Sequence, residues 1–219
     1  ADGLVGDDTL SDITLARAEG ENVGTYDITA SEKKDANPNY SVKFNKGTFT
    51  ITQKEIGLTW TGTKLTYNGK DQLPKAEATG LVGDDTCEVT VTGAQKNANA
   101  AAGSESYTAT AVKLSNLNYK LPAEAATQYT MVAKEIGIEW GNLETTYDGT
   151  KKLPTAKATG LVDGDTCGIT VSGAATEAGN HTAKAESVDN LNYKLPKDAE
   201  TSFVINKADA DFQAPESIS

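Results

Sequence analysis

Aromatic side chains make up only 6% of the 219 residues, and the chain holds two cysteines, one methionine and one histidine. These shortages exclude several classes. With 37% apolar residues the chain is too lean for one large core, though several small cores remain within reach. A single histidine, His181, leaves no Ser/His/Asp arrangement, Cys/His pair or zinc spacing, and no phosphate-binding loop is present. No apolar run approaches the ~18 residues that span a bilayer, so no membrane insertion is expected in this segment. The N-terminus shows no basic stretch followed by an apolar one, so no signal peptide is expected there. No 3.6-residue periodicity persists for about ten residues, which predicts almost no helix.

Acid is abundant: the formal net charge is −11 and the sequence pI is about 4.6. Such a chain repels phosphate backbones, which argues against nucleic acid as a partner. Its 20 Lys and Arg residues are scattered rather than clustered, which also argues against an anionic membrane patch. The charge is read as a solvated surface.

The chain repeats itself. Lys54-Glu55-Ile56-Gly57 returns as Lys134-Glu135-Ile136-Gly137, Trp60 as Trp140, and Tyr67-Asn68-Gly69 as Tyr147-Asp148-Gly149. Leu73-Pro74, Gly80-Leu81-Val82 and Asp85-Thr86-Cys87 return at the same offset of 80, as Leu153-Pro154, Gly160-Leu161-Val162 and Asp165-Thr166-Cys167. The offset then falls to 74, since Tyr119 returns as Tyr193. The difference maps to the polar stretch Asn97 to Ser106, which reads as a surface loop. Residues 1–53 form an incomplete first copy: Gly3 to Thr9 matches Gly80 to Thr86, and Tyr40 matches Tyr119. The expected organisation is therefore 1–53, 54–133, 134–207, and 208–219 as a tail or the start of a further copy. A chain that starts and stops out of phase with its repeats is expected to be a segment of something longer.

Within 54–133, Ile56, Leu58 and Trp60 alternate with Gly57 and Thr59, as on a strand with one apolar face. Asn68-Gly69 and Asp148-Gly149 favour positive φ and mark tight turns. Cys87, Val89 and Val91 predict a further strand, as do Tyr107 to Lys113. A last hairpin is expected from Tyr119 and Leu121 through Pro122 to Tyr129 and Met131. Six or seven short strands per copy predict tandem immunoglobulin-like β-sandwich repeats in an elongated rod, with β-grasp-like or small-barrel repeats as the alternative.

No residue is assigned a catalytic, cofactor-binding or metal-binding role. Cys87 and Cys167 read as small core residues, too far apart in successive copies for a disulfide. Asp7-Asp8, Asp84-Asp85 and Asp163-Gly164-Asp165 are candidate calcium ligands, but adjacent carboxylates supply too few oxygens, so they read as turns. Trp60 and Trp140 read as core or junction packing rather than as a sugar platform. Lys54, Lys134, Asn118 and Asn192 are the conceivable participants in an isopeptide bond, though their flanks look exposed. His181 reads as a loop residue of the third copy with no counterpart in the second. Leu73-Pro74-Lys75 and Leu153-Pro154-Thr155-Ala156 lack the rest of a sortase motif and read as turns. Asn39-Tyr40-Ser41 and Asn180-His181-Thr182 fit a glycosylation pattern without implying one.

Gly3-Leu4-Val5 with Asp7-Asp8-Thr9, Val23 to Ile28, Asn39 to Val42 and Gly47 to Ile51 resemble the second part of an MBG-type repeat. Residues 54–133 and 134–207 resemble the related YDG-type repeats, with Tyr67-Asn68-Gly69 and Tyr147-Asp148-Gly149 as signatures. The resemblance implies a non-catalytic extracellular stalk of a bacterial cell-surface, adhesin-like protein, and no ligand. The expected role is a spacer in a secreted adhesin. The competing reading is a module binding host glycan or protein, in an adhesin or a secreted polysaccharide-degrading enzyme. A monomer is expected, with strand-mediated self-association as the alternative, because an incomplete first copy leaves a sheet edge open.

Overall fold

A computed structural model describes residues 1–99 and 106–214, and among these every regular element is a β-strand. The loop residues 100–105 of the sequence reading lie outside the described residues. The chain divides into two compact units. One comprises Ala1–Thr59, Ala76–Thr90 and Ala111–Ala125; the other comprises Trp60–Lys75, Val91–Thr110 and Ala126–Ser219. The division falls inside the second sequence copy, so the end of that copy carrying Tyr67 shares a unit with the whole of the third.

The first unit opens with β1 (Ile13–Arg17), β2 (Gly24–Glu32) and β3 (Gly47–Ile51), an antiparallel sheet in that order. Along β2 exposure alternates residue by residue, as the pleat requires for a half-covered strand. The Arg17 guanidinium lies over the Tyr26 and Phe49 rings, at 5.3 and 5.1 Å from their centroids. The second copy, divided between the two units, contributes β4 (Lys54–Glu55), β5 (Gly57–Thr61), β6 (Lys64–Thr66), β7 (Lys75–Thr79), β8 (Val89–Thr92), β9 (Tyr107–Leu114), β10 (Tyr119–Lys120) and β11 (Ala126–Val132), of which β6 and β11 lie wholly in the second unit. A small core gathers Ile56, Leu114 and Tyr119, with Leu58, Ala78, Cys87 and Val89 against it.

The expected last hairpin of the copy does not form. β10 instead runs parallel to β4, with the Lys54 N–H donating to the Asn118 carbonyl at 2.9 Å and the Ile56 N–H to that of Lys120 at 3.1 Å. β11 pairs antiparallel with β9 (Tyr129↔Tyr107) and parallel with β6 (Met131↔Leu65). Apolar alternation cannot distinguish these outcomes. The backbone around Tyr119 is engaged by the Lys-Glu-Ile segment that opens the copy, and its hydroxyl is drawn elsewhere, as described below.

The third copy repeats the pattern inside the second unit. Its strands are β12 (Lys134–Glu135), β13 (Gly137–Gly141), β14 (Glu144–Thr146), β15 (Thr155–Thr159), β16 (Ile169–Ser172), β17 (Gly179–Val188), β18 (Tyr193–Lys194) and β19 (Glu200–Asn206). They form a four-stranded sheet ordered β14-β19-β17-β16 and two pairs, β13-β15 and β12-β18. Trp140 of β13 packs on Ala183, Phe203 and Ile205 of the larger sheet, so the core lies between sheet faces.

Register corrects the reading of His181. It lies on β17 opposite Phe203, just as Tyr107 lies on β9 opposite Tyr129. His181 therefore has a counterpart, Tyr107, at the offset of 74. The two ring pairs stack alike, with centroids 5.4 Å apart for His181–Phe203 and 5.6 Å for Tyr107–Tyr129. Asn99 meets Met131 backbone to backbone at 2.9 Å, where Gly179 pairs with Ile205. The six extra residues of the second copy thus lie between Asn99 and Tyr107.

Candidate functional site

One hydrogen-bonded device occurs three times. In each copy a Leu-Val turn closes between a valine carbonyl and an aspartate N–H: Val5–Asp8 at 3.2 Å, Val82–Asp85 and Val162–Asp165 both at 3.0 Å. Glycine supplies the positive φ this turn needs, at Gly6 (56°), Gly83 (54°) and, one position later, Gly164 (85°). A tyrosine from the Asn-x-Asn-Tyr end of the copy then latches the turn. The Tyr40 hydroxyl accepts from the Val5 N–H at 3.0 Å and donates to Asp8 Oδ2 at 2.6 Å. Tyr119 does the same with Val82 (2.9 Å) and Asp85 (2.5 Å), and Tyr193 with Val162 (2.8 Å) and Asp165 (2.6 Å). The carboxylate bond raises the Tyr40 and Tyr119 phenols above their usual range, while burial is the larger cause at Tyr193.

In the second unit a further tyrosine completes the device. Tyr67, just past β6, is 3% exposed and donates its hydroxyl to Asp165 Oδ2 at 2.7 Å. Its ring meets that of Tyr193 edge-on, with centroids 5.5 Å apart, and shares a core with Ile136, Val162, Cys167 and Ile169. A residue of the second copy therefore plugs the core of the third. The Asp165 hydrogen bond is the main cause that pushes the Tyr67 phenol up to about 12. In return the Tyr193 and then the Tyr67 hydroxyls hold the Asp165 carboxyl below its usual range. Around this plug, Asn192 Oδ1 accepts from the Ala98 N–H at 2.8 Å, and Val162 Cγ1 stands 2.5 Å from where a Cβ on Gly69 would be.

The first unit contains the same junction without the plug. Asn118 Oδ1 accepts from the Val23 N–H at 2.8 Å, matching the Asn192–Ala98 bond. No second tyrosine is seen on Asp85 among the described residues. An open cleft of about 330 Å³ lies there, lined by Val23, Ile51, Val82, Asp85, Asn118 and Tyr119. Val82 is 58% exposed, whereas its equivalent Val162 is half-buried under Tyr67.

The sequence candidates find structural partners. The acidic turns bring Asp8, Asp85 and Asp165 to tyrosine hydroxyls, and no three His, Cys, Asp or Glu side chains among the described residues form a metal-holding group. Cys87 and Cys167 are free thiols half-buried beside the cores, and burial pushes the Cys167 thiol up. Trp140 is core packing. Asn118 and Asn192 spend their amides on the junction, and Lys134 Nζ donates to the Gly160 carbonyl at 2.6 Å. His181 Nε2 lies 2.7 Å from the Glu177 carbonyl. Sequence reasoning missed the tyrosine latch. Its signal was available, because an aspartate after Leu-Val and a tyrosine after Asn recur together in all three copies.

Residues 1–50 match the family model of the MBG domain (YGX type). The match bears out the resemblance read from Gly3 to Ile51 and covers the copy whose latch is Tyr40–Asp8. No curated protein and no solved structure matches the chain.

Proposed function

We propose that the chain is a non-catalytic stalk or spacer segment of an extracellular bacterial surface adhesin, its copies acting as immunoglobulin-like sandwiches joined in series. One observation carries this reading: Tyr67, the signature tyrosine of the second copy, is spent on the core of the third, where Asp165 and Tyr193 hold it. A residue repeated from copy to copy and buried at a joint serves assembly. The MBG match at residues 1–50 supports the surface location, because such repeats occur in extracellular surface proteins. Trp140 packed between sheet faces supports the sandwich over a small barrel.

Small-angle scattering on this chain and on chains extended by further copies tests the spacer role. The maximum dimension is expected to grow by a constant increment per copy, and a compact particle of unchanged length refutes it. The glycan- or protein-binding alternative rests on the six residues by which the second copy exceeds the third between Asn99 and Tyr107. It requires that deleting those six residues abolish binding on a glycan array.

A further inference from the structure

We propose that the cleft at Asp85 in the first unit is an acceptor site for an added β-strand of this repeat's own type, a (Leu/Thr)-Thr-Tyr-(Asn/Asp)-Gly segment. Its strand would run parallel to β3 and its tyrosine would enter the cleft onto Asp85. The occupied form of the site is visible one copy further on. There Lys64–Thr66 runs parallel to β11, the Thr130 N–H donates to the Thr63 carbonyl at 2.9 Å, and the Tyr67 N–H donates to the Val132 carbonyl at 3.0 Å. The next residue along that path is the tyrosine plug on Asp165. In the third copy β14 takes the same place on β19.

β3 occupies in the first copy the position of β11 and β19, since Phe49-Thr50-Ile51 stands where Tyr129-Thr130-Met131 and Phe203-Val204-Ile205 stand. Among the described residues β3 pairs with β2 alone, whereas β11 and β19 are each covered on both sides. The groups equivalent to Thr130 N–H and Val132 C=O are Thr50 N–H and Thr52 C=O, on the edge away from β2. An exposed edge of this kind is a template for strand addition. The rest of the socket is already assembled. Asn118 is bonded to Val23, Tyr119 is latched to Asp85, and Val82 is left 58% exposed where Val162 is covered. Asp85 also has capacity to spare, because its equivalent Asp165 accepts two phenols on one oxygen. The chemistry of the added segment is thus specified at both ends: a parallel strand for Thr50 and Thr52, and a phenol for the carboxylate.

The test uses the intact chain, isotope-labelled, and a synthetic peptide of sequence Thr-Lys-Leu-Thr-Tyr-Asn-Gly-Lys-Asp (residues 63–71), alongside the same peptide with Tyr67→Ala. Saturable amide shifts are expected at Val23, Thr50, Val82 and Asn118, with the alanine peptide at least ~10-fold weaker for loss of the charge-assisted bond and the ring burial. Ordering a free peptide costs entropy. A second arm therefore joins each peptide through a flexible linker to the N-terminus, raising its effective concentration to about millimolar. In the linked form hydrogen exchange at Thr50 is expected to slow by at least ~10-fold relative to the alanine version. Equal responses from the tyrosine and alanine peptides, or an unprotected Thr50 in the linked form, overturn the proposal. So do shifts confined to the second unit.

Discussion

Replacing Tyr67 by phenylalanine removes one oxygen from a junction where it donates to a carboxylate at 2.7 Å, and leaves the ring, 3% exposed, in place against Tyr193. A hydrogen bond to a charged acceptor contributes about 1.5–3 kcal/mol. Asp165 keeps the Tyr193 hydroxyl at 2.6 Å, so the loss belongs at the lower end, near 1.5 kcal/mol. For a unit of intermediate size that amounts to roughly 6 °C in the midpoint of thermal unfolding. The chain supplies its own control. Tyr147 is the equivalent residue of the third copy and is 39% exposed, so Tyr147→Phe should stay within about 0.5 kcal/mol of the parent. Differential scanning calorimetry on both variants decides the matter. Equal shifts for the two would falsify the assignment of Tyr67 as a plug, because sequence context alone treats them alike.

Three further outcomes follow from the same geometry. Gly69→Ala and Gly149→Ala share the strain of positive φ (76° and 79°), but only the first drives a Cβ into Val162. It should therefore cost about 1–3 kcal/mol more in a denaturant titration. On the alkaline side, Tyr67 is an acid whose folded pKa is pushed up to about 12 from 10.0, so its contribution is intact below pH 10 and lost as pH rises from 10 to 12. Denaturation midpoints should fall across that window, and fall less in Tyr67→Phe. Millimolar calcium should leave the thermal midpoint unchanged, since Asp165 Oδ2 already accepts two hydroxyls and no metal-holding group of acidic side chains is found among the described residues. A rise of several degrees would reinstate the acidic turns as ligands.

The all-β class and the turns were legible because they depend on local chemistry: alternation along β5 and β7, and Gly69 and Gly149 at positive φ after Asn and Asp. The pairing was not. Lys54–Glu55 carries no apolar alternation, yet it forms a strand, because its backbone is claimed by the segment around Tyr119. Parallel pairing of β6 with β11 joins residues more than sixty positions apart, which no window on the sequence samples. His181 read as a singular loop residue because the six extra residues of the second copy hide its alignment with Tyr107; only the strand register restores it. The latch was masked by the turn it closes. Asp85 and Asp165 are ordinary turn residues by type, and their tyrosines stand 34 and 28 positions away.

A plug shared between copies also sets how the chain should come apart. Repeats that touch only their neighbours unfold together when the interface between them is favourable, and separately when it is not. In the second unit the interface is a single core in which Tyr67 from one copy sits with Ile136, Tyr193 and Val162 from the next. Truncating a buried aromatic of this kind costs about 3–5 kcal/mol. Tyr67→Ala removes the ring as well as the bond to Asp165, so nearly all of that cost falls on the coupling between copies rather than on either fold. The expected result is a change of shape rather than a plain loss of stability: one calorimetric transition for the parent unit, and two resolved or broadened transitions for the variant. Tyr147→Ala, at an exposed position, should leave the transition single. A Tyr67→Ala chain that still unfolds in one sharp step, merely at lower temperature, would show that the copies are coupled through the chain connection and its short β12 strand, with the tyrosine contributing only bulk.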